Sequence, residues 1–161
     1  MIVAFLAAAL SIAGINLSTQ NLKGEPRVFP GDIAQRRAVI VVTFSKSASD
    51  EASEWTRKLR ENQQKLAASI YQIAVLEDVP ALFRSFVISS LKRAIPRELY
   101  DNFWIATSSS KEWQDRTGSR SVNQAHVFVL ESRDQITWRF DGAFGEPILH
   151  NLLGALSAQK N

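Results

Sequence analysis

Apolar residues run without a break through Ala38–Val42, and most of them are β-branched. A run with no polar alternation predicts a strand buried on both faces, the usual state of a central parallel strand. Thr43-Phe44 and a serine-rich turn follow, and Asp50 and Glu51 then suit the positive end of a helix dipole. Ser47 or Ser49 can accept from the helix's free N–H groups, and Ser47-x-x-Asp50 has capping-box spacing. A buried strand feeding a helix through such a turn is the first half of a βαβ unit. Open α/β sheets hold ligands at the carboxyl ends of their strands, so chemistry is expected first in this loop.

Downstream, Ala52, Trp55, Leu59 and Leu66 mark one face of a helix from Asp50 to about Leu66. A second strand is predicted at Ile70–Leu76. Pro80 then opens a helix whose apolar stripe is Phe83, Phe86, Val87, Leu91 and Ala94, and Pro96 stops it. Asn102–Thr107 reads as a third strand. Ser109-x-x-Glu112 is a capping box for a short helix ending near Gly118. A hairpin follows, Val127–Leu130 and Ile136–Phe140 around a polar turn at Glu131–Gln135, with Ile136, Trp138 and Phe140 assigned to one face. Pro147 sits in the first turn of a last helix that buries Ile148, Leu149, Leu152, Leu153 and Leu156.

The N-terminus breaks this pattern. Met1–Leu17 carries no charge and is almost wholly apolar, which predicts a signal peptide or an N-terminal membrane anchor. Ser11-Ile12-Ala13 supplies a small-x-small cleavage pattern, whereas a positive n-region is missing. The turn makers Gly24, Pro26 and Pro30-Gly31 mark 18–37 as a lead-in or linker. The domain proper is then expected over 38–161, exported to the periplasm or held at a membrane.

Composition narrows the chemistry. A hydrophobic content of 45% with 22% charged residues belongs to a folded globular chain, and 161 residues suffice for one domain. The net charge of +3 is compatible with anionic surfaces or acidic partners, yet no Lys/Arg stripe is dense enough to predict nucleic-acid binding. Zero cysteines excludes disulfides, thiol catalysis and thiolate metal sites together. His126 and His150 are the only histidines, so no metal site or cofactor is expected.

The order strand, helix, strand, helix, strand, short helix, hairpin, helix resembles the thioredoxin layout. That implies an α/β three-layer sandwich, a mixed sheet with flanking helices. Thioredoxins carry Cys-x-x-Cys in the turn after the first core strand and a cis-proline before the hairpin strand. Here those places hold Ser45–Glu51 and Gln124-Ala125-His126. The run Ala125–Gly142, AHVFVLESRDQITWRFDG, is also similar to a hairpin pattern of the assembly-factor-ten family of the mitochondrial ATP synthase. Val127, Phe128, Glu131, Ile136, Trp138 and Gly142 match that pattern, as does the basic-then-Ile-Pro segment Leu91-Lys92-Arg93, Ile95-Pro96-Arg97. Ala125, His126 and Thr137 depart from it, standing where the family has glycine, tyrosine and arginine. The resemblance implies a redox-inactive, membrane-associated assembly module whose protein partners are ATP synthase membrane-sector subunits.

Partner-binding candidates are Ser45, Lys46 and Ser47 in the loop, His126 at the hairpin, and Arg84, Lys92, Arg93 and Arg97 on or just after one helix. Each has a plainer reading: a capping turn with a solvated lysine, a hydrogen-bonded histidine, and solvated charges. No catalytic residue is assigned. The competing view is a Ser/Lys/His enzyme or small-ligand site at the same edge, which requires Lys46 and His126 to converge over a pocket. Trp55, Trp104 and Trp138 are read as core, and Trp113, in the short helix, is left free to be exposed.

Overall fold

A computed structural model describes residues 9–159 of the chain. One mixed eight-stranded sheet organises it. Its strands are β1 (Leu10–Ser11), β2 (Leu17–Asn21), β3 (Pro26–Phe29), β4 (Arg37–Thr43), β5 (Ser69–Val75), β6 (Phe103–Ala106), β7 (His126–Glu131) and β8 (Gln135–Asp141). Their spatial order is β1-β8-β7-β4-β5-β6-β2-β3. β4 pairs in parallel with β5, and β5 with β6, while β7 runs antiparallel to β4 and β8 antiparallel to β7. The apolar run is thus the central strand: Ala38, Ile40 and Val42 enter one core, and Val39 and Val41 enter the other.

Helices α1 (Ser49–Glu61), α2 (Gln63–Leu66), α3 (Ala81–Ala94), α4 (Ser110–Thr117) and α5 (Glu146–Ala158) flank the sheet. On one face, Ala52, Trp55 and Leu59 of α1 meet Leu149, Leu152 and Leu156 of α5 over Val127, Val129 and Trp138. On the other, Trp113 of α4 stacks against Phe29, ring centroids 4.7 Å apart, and Phe29 meets Phe128 edge-on. Full burial of each such ring contributes about 3 kcal/mol, so the two faces carry comparable cores. Trp113, which the sequence leaves free to be exposed, is fully buried, sharing its core with Ile12, Leu17 and Phe29 of the N-terminal segment.

Those strands correct the expected boundaries. β1 pairs with β8 through Leu10↔Ile136, and Ile12, Ile15 and Leu17 are buried in the core. Leader-like apolarity over 10–17 therefore serves the domain itself, whereas Met1–Ala8 lie outside the described residues. The 18–37 segment is no linker: it holds the antiparallel pair β2–β3, and β2 adds to the sheet through Gln20↔Ile105.

Two further expectations fail for identifiable reasons. Ile136 and Trp138 lie on opposite faces, because Leu130 pairs with Ile136 but Val129 pairs with Trp138. Thr137 is the extra residue of a β-bulge, and a bulge inverts the alternation beyond it. In α3, the side that packs is Ile88 and Leu91, continued by Ile95, against Leu22, Ala74, Phe103 and Ile105. Phe83 and Phe86 face solvent instead. The helix is apolar on both sides, so its period alone does not choose the buried one.

Candidate functional site

The carboxyl ends of β4, β5 and β6 share one end of the sheet with the start of β7 and the end of β8. At that end the turn after β4 is a short 3-10 segment, Lys46–Ala48, leading directly into α1. Neither expected serine cap forms: the residue before α1 is Ala48, and no side chain caps it. The serines turn outward to the neighbouring loop. Ser45 Oγ donates to the Val122 carbonyl at 2.6 Å and lies 2.8 Å from Ser47 Oγ, and Ser47 Oγ donates to Asn123 Oδ1 at 3.2 Å. Two exposed loops are tied by side chains that the sequence suggested for capping. Ser109 does not cap α4 either; Glu77 Oε2 accepts from the Ser110 N–H at 2.6 Å and takes that role across strands.

Below the turn lies a buried polar cluster. His126 opens β7 and is 1% exposed. Its Nε2 stands 2.5 Å from the Ser121 carbonyl, which only accepts, so that nitrogen carries hydrogen. Nδ1 stands 2.8 Å from Asp141 Oδ1, at ion-pair distance although off the line of a good hydrogen bond. Arg139 Nη2 reaches Asp141 Oδ2 at 3.2 Å and also donates to the Gly118 carbonyl. Phe44 closes the ring edge-on, with centroids 5.4 Å apart. Burial pushes the Asp141 carboxyl up, but contact with His126, its charge, and then Arg139 outweigh burial and hold it below the usual carboxylate range.

The cluster's output is the position of the 118–126 loop. His126 grips Ser121, Arg139 grips Gly118, and Glu51 Oε2 of α1 accepts the Ala125 N–H at 2.9 Å. Gly118 takes φ +71° with the Arg139 guanidinium against its Cα, a place where a side chain would collide. Asp141 and Arg139 have no counterpart among the residues singled out from sequence. Their signal is the hairpin register, which sets His126 opposite Asp141.

Sequence-chosen residues thus divide. Ser45, Ser47 and His126 come together at one sheet end. Lys46 is exposed and makes no hydrogen bond to His126, whose ring nitrogens face Ser121 and Asp141. The convergence that an enzyme reading requires is not formed. Arg84 turns inward to the loop before its helix, donating to the Val79 carbonyl at 3.0 Å and the Glu77 carbonyl at 3.2 Å. Lys92, Arg93 and Arg97 are exposed on α3 and just beyond it, and His150 is exposed on α5.

A cavity of about 790 Å³ opens at the opposite end of the sheet, bordered by Arg36, Arg37, Ser69, Glu131, Thr137 and Gln159. Arg37 there pairs with Glu131 and reaches the Leu156 carbonyl at 3.3 Å, so its guanidinium ties β4 to β7 and α5. Among the described residues, no group of three or more His, Asp or Glu is placed to hold a metal ion. No helix among them is long and apolar enough to cross a membrane.

No protein-family model matches the sequence, and no curated protein matches it. Solved structures do resemble it over most of its length. One is BsSco, of the Sco family of cytochrome c oxidase assembly proteins: 11% identity, TM-score 0.58, covering 97% of this chain and 98% of that one. A SCO1/SenC family lipoprotein from Bacillus anthracis gives 11% identity and TM-score 0.58 over 94% of this chain and 98% of that one. A thio-disulfide isomerase from Thermus thermophilus gives 23% identity and TM-score 0.53 over 87% and 92%. With central β4, the parallel β4–β5–β6 ladder and the closing hairpin and helix, these likenesses establish a thioredoxin-like fold in a chain that contains no cysteine.

Proposed function

We propose that this chain is a redox-inactive thioredoxin-like module that binds a protein partner and assists its assembly at a membrane. The observation that carries the reading is the turn after β4. In the turn where the thioredoxin layout places two thiols, here Ser45–Glu51, there is no cysteine, and the Ser45 and Ser47 hydroxyls are spent on Val122 and Asn123. Thiolate is the nucleophile of thiol–disulfide exchange; a hydroxyl replaces it only with an activating base and an oxyanion hole. The base candidate, His126, is buried below the turn. A surface built by hydrogen bonds between two loops, with Lys46 exposed upon it, suits recognition.

Assembly by a module of this fold has a parallel in BsSco, whose family is one of cytochrome c oxidase assembly proteins. The B. anthracis neighbour is a lipoprotein, which accords with an exported or membrane-held protein. The client proposed is a membrane-sector subunit of an ATP synthase, on the hairpin resemblance of Ala125–Gly142. The test is membrane fractionation of the full-length protein in its native host, with a photo-crosslinker at position 46 and mass spectrometry of the adducts. Membrane recovery with membrane-sector subunits on the crosslinker supports the reading. Recovery in the soluble fraction, or adducts free of those subunits, overturns it.

A further inference from the structure

Helix α3 has no fully buried residue, and its solvent side is apolar at one end and basic at the other. Leu82 is 89% exposed, Phe83 59% and Phe86 68%. At about 100° per residue, Leu82, Phe86 and Arg93 fall within about 40° of one another, with Ser89 and Ser90 between the aromatic and the cation. Lys92 flanks that line and Arg97 follows the helix; both are exposed. From Val79 to Arg97 the sequence contains no acidic residue. Arg84, the remaining cation, points to the opposite side and is held by backbone carbonyls, so it takes no part.

The geometry points to an anionic lipid bilayer surface as the occupant of this face. Cations and apolar side chains side by side fit a headgroup boundary, where apolar groups enter and Lys or Arg meets phosphate. A folded protein partner fits less well. The three apolar side chains offer roughly 400 Å², about half of what one side of a standard protein interface buries. The exposed apolar side chains also stand on a single helix, and a fluid bilayer adapts to such a convex shape. The side-chain hydrogen bonds of the Ser45–Ser47 turn go to Val122 and Asn123 and not to α3.

The four native tryptophans, Trp55, Trp104, Trp113 and Trp138, are all buried. Phe86→Trp in the full-length protein therefore gives a single exposed indole that reports on α3 and not on the N-terminus. The probes are phosphatidylcholine vesicles with and without about 30% phosphatidylglycerol, carrying brominated acyl chains as quenchers. The expected result is bromine quenching of the F86W signal on the anionic vesicles alone, reversed by about 0.5 M salt. Each of Lys92→Gln, Arg93→Gln and Arg97→Gln should weaken partitioning about fivefold. Leu82→Ser with Phe83→Ser should abolish quenching without changing the fold. An indole that remains open to acrylamide and is not quenched by anionic vesicles overturns the proposal, even if the protein sediments with lipid by another route. Quenching that is equal on neutral vesicles overturns it too. Protection of the indole by ATP synthase membrane-sector protein in place of lipid would assign the face to a protein. Crosslinking from position 46 reads the client independently of these outcomes.

Discussion

Asp141→Asn removes one charge from the buried cluster while keeping its shape. The wild-type carboxylate meets His126 at 2.8 Å and Arg139 at 3.2 Å. Side chains of Asp141 and Arg139 keep 23% and 19% of their exposure, whereas His126 keeps 1%. Hydrogen bonds to charged groups contribute roughly 1.5–3 kcal/mol, and the partly wet Arg139 arm is discounted for screening. The variant should therefore lose about 2 kcal/mol at pH 7, read as a fall of about 1 M in the urea midpoint. The pH dependence fixes the cause. Because the folded carboxyl titrates below its unfolded counterpart, near about 3.9, its stabilisation is fully present above that value. It is lost as pH falls through the folded value. The wild-type advantage over D141N should close progressively as pH falls below about 4. Urea unfolding of both proteins at pH 7, 5, 4 and about 3 measures it. A gap that persists or widens between pH 4 and about 3 would refute the ionised-cluster account and leave only shape or backbone effects.

Other substitutions probe the remaining elements. Trp113→Phe should cost less than Trp55→Phe, because the Trp113 indole N–H finds no partner while that of Trp55 donates to the Gly142 carbonyl at 2.9 Å. The difference should be about 1 kcal/mol in thermal or urea unfolding. Ile12→Ala should cost about 2–4 kcal/mol, since Ile12 is fully buried; an unchanged midpoint would mean that the segment is dispensable to the fold. Gly118→Ala, at φ +71° and against the Arg139 guanidinium, should destabilise by about 1–3 kcal/mol and raise hydrogen exchange in the 118–126 loop. Ser45→Ala should cost about 1 kcal/mol and expose the same loop to proteolysis, because Val122 loses its donor.

What was legible in the sequence followed from burial on both faces. β4 and α5 announce themselves because every position, or one unbroken stripe, is apolar. The β2–β3 pair was illegible because its buried alternate positions are Leu17, Thr19 and Asn21, two of them polar. Asn21 is buried at little cost: its side-chain oxygen accepts from the Lys23 and Glu25 N–H groups at 3.0 Å, and its amide donates to Glu25 at 2.8 Å. A polar residue satisfied by its own turn is invisible to a hydrophobicity pattern. Leu10–Leu17 failed in the opposite sense, its apolar residues serving a strand, a core and a closing segment where apolarity alone suggested a leader.

The candidate site turns on the same limit, expressed as one residue of register. Counted outward from Glu131↔Gln135, an unbroken ladder would set His126 opposite Phe140. The histidine would then have an aromatic ring for a neighbour, and a carboxylate one position away on the other face. The bulge at Thr137 advances β8 by one residue, so Asp141 pairs with His126 and Arg139 falls on the same edge as Gly118. Nothing in the residue types around Thr137 demands that bulge; it is selected jointly by Ile136 entering one core and Trp138 the other. The polar cluster is therefore a consequence of packing on both faces of the sheet, and the loop beside the Ser45 turn is held in place by that packing at one remove.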